Sequence, residues 1–167
     1  MMLQIVSNTP LWVWGLLIAL VALGASQFFT RQASLTRVTF LPAAMAALSL
    51  YGTVSVFGAA AAVLLLWGAT AALAAMWVAR RPVPARTLYD AATRRFVLPG
   101  SALPLLIILG IFCTKYAVGV LLALQPGIKA DLAFAEAVAA LYGLFSGALA
   151  GRALRLWRLA RSPYRGD

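Results

Sequence analysis

The amino-acid sequence predicts an all-α protein that is embedded in a membrane as a bundle of about five transmembrane helices. Of its 167 residues, 63% are hydrophobic and only 11% are charged, whereas soluble domains carry about a quarter charged residues. The apolar residues form runs long enough to cross a bilayer, and most basic residues lie in clusters between these runs. A soluble chain of this length could not bury so much apolar surface, so lipid must cover much of it.

Five segments have the length that a transmembrane helix needs, which is about 20 mostly apolar residues. The second and third come from one long apolar run, which two glycines and two hydroxyl residues interrupt between residues 51 and 58. The alternative for this run is a single bent helix with a re-entrant segment. The predicted helices are residues 10–29, 36–52, 57–79, 102–124 and 132–152, and helical structure is expected to continue through Arg161. Residues 1–167 form one transmembrane domain in this interpretation, with residues 153–167 as a basic cytoplasmic tail.

The longest polar stretch separates the third and fourth predicted helices. Within it, Thr87 and Asp90 have the spacing of a capping box. Apolar residues from Leu88 to Phe96 recur near helical spacing. This pattern predicts a short amphipathic interfacial helix near residues 87–97 that lies on the membrane surface. A solvated loop is the alternative.

The distribution of basic residues predicts the orientation in the membrane. Twelve of the fourteen basic residues follow the first, third and fifth predicted helices, whereas the loops on the opposite side contain only Lys129. Loops rich in Lys and Arg are retained in the cytoplasm. Five spans place all three basic segments on one side, so the charge count supports the helix count. We therefore expect a multi-pass membrane protein with its N-terminus outside and its C-terminus in the cytoplasm.

The net charge of +10 is interpreted as attraction to anionic lipid headgroups at the cytoplasmic face. Nucleic acid is not expected as a partner, because no aromatic stacking residues alternate with the basic residues on a polar surface. A homo-oligomer or an unidentified membrane partner is possible on this sequence. The residues predicted to contact lipid headgroups are Arg80, Arg81, Arg86, Arg94, Arg95, Arg152, Arg155, Arg158 and Arg161.

The sequence contains no histidine and one cysteine, Cys113. The absence of histidine excludes histidine-ligated metals and haem, and it excludes Ser-His and Cys-His catalytic arrangements. We therefore predict no catalytic residue, no metal and no cofactor, and we do not expect an enzyme.

Lys115 is the charged residue that the sequence places deepest in the membrane. It lies about ten residues before the outer end of the fourth predicted helix, and Glu136 lies near the outer end of the fifth. A charge near the bilayer centre is costly unless it is paired, hydrated or extended towards the interface. We predict an intramembrane ion pair between Lys115 and Glu136. The alternative is that Lys115 extends alone to the outer headgroups.

Three glycines, Gly143, Gly147 and Gly151, recur every four residues in the fifth predicted helix. This spacing places them in one stripe, which allows close approach of another helix. We expect that helix to belong to the same chain, and a second copy of the chain is the alternative.

Several segments together resemble a known family. They include Leu41-Pro42, Ser49-Leu50-Tyr51-Gly52, Pro99-Gly100-Ser101, the stretch Ile111 to Val120 around Lys115, and Tyr142 to Gly147. In this order they are similar to the small bacterial inner-membrane proteins of domain of unknown function 6622. The resemblance extends over nearly the whole chain. It implies a location and an architecture but no activity, ligand or catalytic residue.

The function expected from the sequence is that of a structural or accessory membrane component. The alternative is a small oligomeric transporter or channel in which Lys115 and Glu136 belong to a proton or ion path. A membrane enzyme is the third possibility. A water-filled cavity that touches Lys115 would favour the transporter.

Overall fold

The computed structural model describes residues 10–84, 87–90, 93 and 95–161. Within these ranges the protein is helical, with five α-helices and a small antiparallel sheet, as the all-α prediction requires. Two short 3-10 segments, Ser26–Phe28 and Pro126–Ala130, follow the first and fourth helices. The elements are α1 (Leu11–Ala25), β1 (Arg31–Ser34), α2 (Leu35–Phe57), α3 (Ala61–Ala79), β2 (Leu88–Asp90), β3 (Arg95–Leu98), α4 (Leu103–Leu124) and α5 (Leu132–Arg161).

Four of the described helices, α2 to α5, are long and apolar enough to cross a membrane. At a rise of 1.5 Å per residue, the 22 residues of α4 extend about 33 Å, against a hydrocarbon core of about 30 Å. The 15 residues of α1 extend only about 22 Å, so this helix is shorter than the predicted segment 10–29. The protein is therefore a membrane protein with four clear spanning helices and a shorter apolar helix at the start of the described chain.

Contacts divide the chain into two compact units. The first combines residues up to Thr30 with Gly100–Ile128, and the second combines Arg31–Pro99 with the chain from Lys129 onward. In the first unit the end of α1 lies beside the start of α4. A Cβ atom added at Gly24 would lie 3.1 Å from the Cβ of Leu105, and one added at Gly100 would overlap the carbonyl oxygen of Phe28.

The second unit contains α2, α3, α5 and the sheet, and α5 is its central helix. In the membrane-spanning window of α5, 39% of the residues are buried inside the protein, against 11% for α2 and 6% for α3. Most of the apolar surface of α2 and α3 is therefore available to lipid, whereas α5 is covered by its neighbours. Its 30 residues extend about 45 Å, so roughly ten residues project beyond the hydrocarbon core.

The break between α2 and α3 lies later than the sequence predicts. Helix α2 does not end at residue 52 but continues to Phe57, and Gly58 ends it with a φ of 76°. The hydroxyls of Thr53 and Ser55 donate to the carbonyls of Ser49 and Gly52, at 3.0 and 3.2 Å. Because these hydroxyls bond within their own helix, they do not interrupt it. The chain turns only where glycine can adopt a positive φ.

The start of α2 is fixed by a cap that the sequence analysis did not identify. Ser34 accepts a hydrogen bond from the backbone N–H of Arg37 at 3.2 Å, which satisfies one of the donors left open at a helix N-terminus. Pro42 lies inside the helix rather than near its start. A proline there removes one backbone hydrogen bond, yet α2 continues for fifteen more residues to Phe57.

The predicted interfacial helix near residues 87–97 is wrong for the residues that the structure describes. Leu88–Asp90 and Arg95–Leu98 are strands, and β3 pairs antiparallel with both β1 and β2 in the order β1-β3-β2. Ala33 and Tyr89 lie opposite Phe96, whose side chain is fully buried and whose ring centroid is 4.8 Å from that of Tyr89. Strand pairing satisfies the backbone and buries an aromatic side chain on one face, which a surface helix could not do with the same partners.

Candidate functional site: the basic end of the second unit

Helices α3 and α5 pack with their chain directions parallel, and the glycine stripe forms their line of contact. A Cβ added at Gly147 would lie 2.8 Å from the carbonyl carbon of Ala71, and one added at Gly151 would lie 2.6 Å from the carbonyl oxygen of Ala75. Gly143 lies against Trp67 and Thr70 in the same way. The structure thus places all three glycines against a helix of the same chain, where only the absence of a side chain permits this separation.

A polar junction connects α2, α3 and α5 in the middle of the unit. The indole N–H of Trp67 donates to the hydroxyl of Ser49 at 3.1 Å, and that hydroxyl donates to the carbonyl oxygen of Tyr142 at 3.4 Å. Ser146 is buried and donates to the same carbonyl at 2.8 Å. Because these groups bond to each other across three helices, they stabilise the packing. The sequence analysis did not identify Ser49 as a member of this junction.

All three basic segments meet at one end of the second unit. The indole N–H of Trp157, near the end of α5, donates to the hydroxyl of Thr39 in the second turn of α2, at 2.7 Å. The end of α3 lies beside the end of α5, because Arg158 of α5 bonds to the carbonyl of Ala79. The sheet joins the segment after α1 to the segment between α3 and α4. We call this region the basic end. It comprises the start of α2, the end of α3, the end of α5 and the three strands.

Two of the predicted lipid-contact residues bond to the protein itself. Arg158 donates through Nη1 to the carbonyl of Ala79, the last residue of α3, at 3.0 Å. Arg155 donates through Nη1 to the carbonyl of Pro82 at 2.9 Å. The last carbonyls of a helix lack partners within the helix and carry partial negative charge. The two arginines therefore hold the end of α3 against α5.

Two further arginines at the basic end stack on tryptophans. The guanidinium of Arg81 lies 4.4 Å from the ring centroid of Trp77, and that of Arg161 lies 5.0 Å from the ring centroid of Trp157. Tryptophan and arginine side chains of this kind are typical of the level where hydrocarbon meets headgroups. Both tryptophans therefore indicate where the membrane surface would cross the end of the unit.

The remaining predicted lipid contacts differ in their surroundings. Arg95 is exposed on the sheet and donates to the side-chain oxygen of Gln32 at 3.1 Å. Arg80 is exposed after the end of α3, and Arg152 is half-buried in α5. Arg86 and Arg94 lie outside the described residues.

Lys115 and Glu136 belong to different units. Lys115 is exposed in the middle of α4, about 13 Å along the helix axis from Leu124. Glu136 is half-buried in the second turn of α5. The ion pair, and the proton or ion path built on it, stay predictions. No group of three or more histidine, cysteine, aspartate or glutamate residues that could hold a metal occurs in the described chain.

The groups that organise the basic end were not predictable from residue type, because most of them are backbone atoms. The carbonyls of Ala79 and Pro82 have no signature in residue type. The spacing of Arg155 and Arg158 was the one sequence signal for this contact. They are three residues apart, which places both side chains on one face of a helix.

Comparison with known proteins shows one match over nearly the whole chain. The model of a family of unknown function, DUF6622, matches residues 1–165. An uncharacterized protein of Pasteurella multocida (strain Pm70) is 48% identical over 40 residues, which are 24% of this chain and 31% of that protein. The matched segment is therefore less than a third of that relative's length. No solved structure matches.

Proposed function

Because the chain belongs to the family of unknown function DUF6622, we propose its role from its own structure: a structural or accessory component of the bacterial inner membrane. In this proposal the basic end lies at the cytoplasmic face and binds anionic headgroups. The observation that carries the proposal is the meeting of all three basic segments at one end of the second unit. Basic segments on one membrane side are typical of cytoplasmic loops.

The direction of the helices supports this arrangement. Since α3 and α5 are parallel, both helices end at the basic end of the second unit. Residue 98 lies in the sheet at the basic end, and residue 132 begins α5 at the opposite end. A membrane crossing between residues 98 and 132 would agree with these positions.

The inference that the charge count supports all five spans is wrong for α1, because the count tests only α2 to α5. The segment before α2, the segment between α3 and α4 and the segment after α5 lie on the same side whether or not α1 crosses the membrane. The crossing of α1 affects only the side on which the N-terminus lies. The external N-terminus therefore depends on α1 as a fifth span, whereas the cytoplasmic C-terminus depends on α2 to α5.

Reporter fusions test the orientation directly. Alkaline phosphatase, which is active outside the cytoplasm, and green fluorescent protein, which is fluorescent inside, would be fused after residues 59, 90, 128 and 161. We expect phosphatase activity at 59 and 128, and fluorescence at 90 and 161. Fluorescence at 128, or phosphatase activity at 161, would contradict the proposed orientation. Labelling of a single cysteine placed before residue 10, in a Cys113→Ala background, with a membrane-impermeant maleimide then decides whether α1 crosses.

An accessory role also requires a surface that can contact lipid or a partner. Large apolar side chains on the outside of α2 and α3, such as Phe40, Leu65 and Leu73, are more than 60% exposed. In the bilayer, lipid tails cover such side chains without the cost that water would impose. A homo-oligomer or a membrane partner stays a prediction, which cross-linking of the full chain in native membranes would test.

A further inference from the structure

The contact of Arg155 with α3 leaves part of its guanidinium without a partner. Nη1 donates to the carbonyl of Pro82. Nε is buried and has no hydrogen-bond acceptor within the described chain. A buried donor without an acceptor is unfavourable, and such a group is satisfied in a folded protein by water, an ion or a ligand. In a guanidinium group, Nε and Nη2 form the edge that binds two oxygens of one carboxylate or phosphate.

The elements that hold Arg155 offer no carboxylate for this edge. The last ten residues of α5 contain four arginines and no acid, and residues 79–84 at the end of α3 contain two arginines and no acid. The protein here concentrates positive charge. An acceptor from outside the chain, with negative charge and two oxygens in one plane, would complete the arrangement.

The position of Arg155 along α5 indicates which anion reaches it. Twenty residues from Leu132 end at Gly151, about 30 Å along the axis, which matches the hydrocarbon thickness. Arg155 lies four residues further, about 6 Å beyond that boundary. Headgroups occupy about 5–7 Å on each side of the hydrocarbon core. The Trp77–Arg81 and Trp157–Arg161 stacks lie at the ends of the same two helices, as expected for this level.

We propose that Arg155 binds a phosphate group through its Nε–H and Nη2–H edge beside the C-terminal end of α3. This inference rests on the proposed function, because it places the basic end at the membrane surface. Protein atoms cover Nε in the structure, so binding requires the side chain to turn its Nε–H and Nη2–H edge outward. The phosphate comes from a lipid headgroup or from free phosphate, and the two sources are separable by experiment.

The experiment measures binding to the purified full-length chain in a neutral detergent. Native mass spectrometry would count bound molecules of phosphatidylglycerol and of monoglucosyl-diacylglycerol with the same acyl chains, which lacks phosphate. A third titration would use inorganic phosphate, with the thermal unfolding midpoint as readout. The variant is Arg155→Lys, which keeps the charge and one donor for Pro82 but loses the planar edge. The matched control is Arg37→Lys, the same change at an exposed position of the basic end.

We expect the wild type to retain one phosphatidylglycerol in preference to the glycolipid, with about tenfold weaker retention in Arg155→Lys and less than a twofold change in Arg37→Lys. If only inorganic phosphate stabilises the wild type, and Arg155→Lys removes that effect, the site binds free phosphate. If the wild type prefers neither ligand, or if both variants bind like the wild type, the proposal is overturned. The reporter fusions leave Arg155 unchanged, so a failed orientation and a failed phosphate site are distinguishable.

Discussion

The close packing of α3 and α5 can be tested at Gly147. A methyl group added there would lie 2.8 Å from the carbonyl carbon of Ala71, whereas ordinary contacts begin at 3.4 Å. The carbonyl oxygen of Ala71 would be closer still, so the two helices must separate locally by more than 0.6 Å, since the contacting atoms belong to backbone or Cβ positions. Overpacking of this kind costs about 1–3 kcal/mol. The gain in helix propensity from glycine to alanine offsets about 0.5–1 kcal/mol of it. We expect Gly147→Ala to lower the free energy of unfolding by about 1–2 kcal/mol.

The assay is unfolding of the purified chain in mixed micelles by increasing SDS, followed by tryptophan fluorescence and helical circular dichroism. The control is Gly68→Ala in α3, where an added Cβ would have no neighbour within 4 Å. This control should be neutral or more stable than the wild type, by up to about 1 kcal/mol. Equal unfolding curves for the two variants would refute the assignment of the stripe to the α3–α5 contact.

Three other predictions concern the polar junction, the sheet and the intramembrane charges. Ser49→Ala should lower the free energy of unfolding by about 0.5–1.5 kcal/mol, because it removes bonds between three helices. Ser55→Ala should change it less, since that hydroxyl bonds only within α2; equal losses in this SDS titration would contradict the junction. Phe96→Ala removes a fully buried ring and should cost about 3–4 kcal/mol in the sheet. In proteoliposomes, trypsin should cleave Phe96→Ala faster than the wild type between residues 80 and 100. An unchanged cleavage rate would argue against the sheet. For Lys115 and Glu136 we expect a coupling energy above 0.5 kcal/mol in a double-mutant cycle with alanine; additive losses would exclude the pair.

Arginines at the basic end have two roles that a charge count does not separate: some bond to backbone carbonyls of the protein, and others are exposed. Arg158 donates to the carbonyl of Ala79, the last residue of α3, and Arg155 to that of Pro82, three residues beyond it. Removing either should weaken the contact between α3 and α5 as well as any contact with lipid. Arg80 is exposed and has no comparable role among the contacts described above. Charge-neutral substitutions at these positions should therefore differ in their effect on stability, although their effect on net charge is the same.

Much of the candidate site followed from the sequence because its signals are local. The spacing of three glycines defines one face of a helix, whatever packs against it. The clusters of arginine identify one end of the bundle through the charge bias of loops. The partners on α3 were not predictable, because the carbonyls of Ala71, Ala79 and Pro82 are groups that every residue carries.

The strands show most clearly where local reasoning fails. Leu88 to Phe96 has apolar residues near helical spacing, and the same residues also suit a strand in which Phe96 points inward and Arg95 outward. The choice depends on pairing with residues 31–34, more than 60 positions earlier in the chain. Hydrogen bonds to a distant segment contribute nothing to a local pattern, so only the folded chain reveals them.

By itself, the sequence determined that lipid covers much of this protein, which segments are apolar, and that its basic residues gather in three segments between or after them. These properties depend on the free energy of transferring apolar and charged groups between water and lipid, which each segment carries with it. The tertiary structure decided where α2 ends, which helix the glycines approach, and which arginines hold α3 against α5. These features depend on contacts between atoms far apart in the chain, many of them backbone atoms, and residue type alone does not specify such contacts.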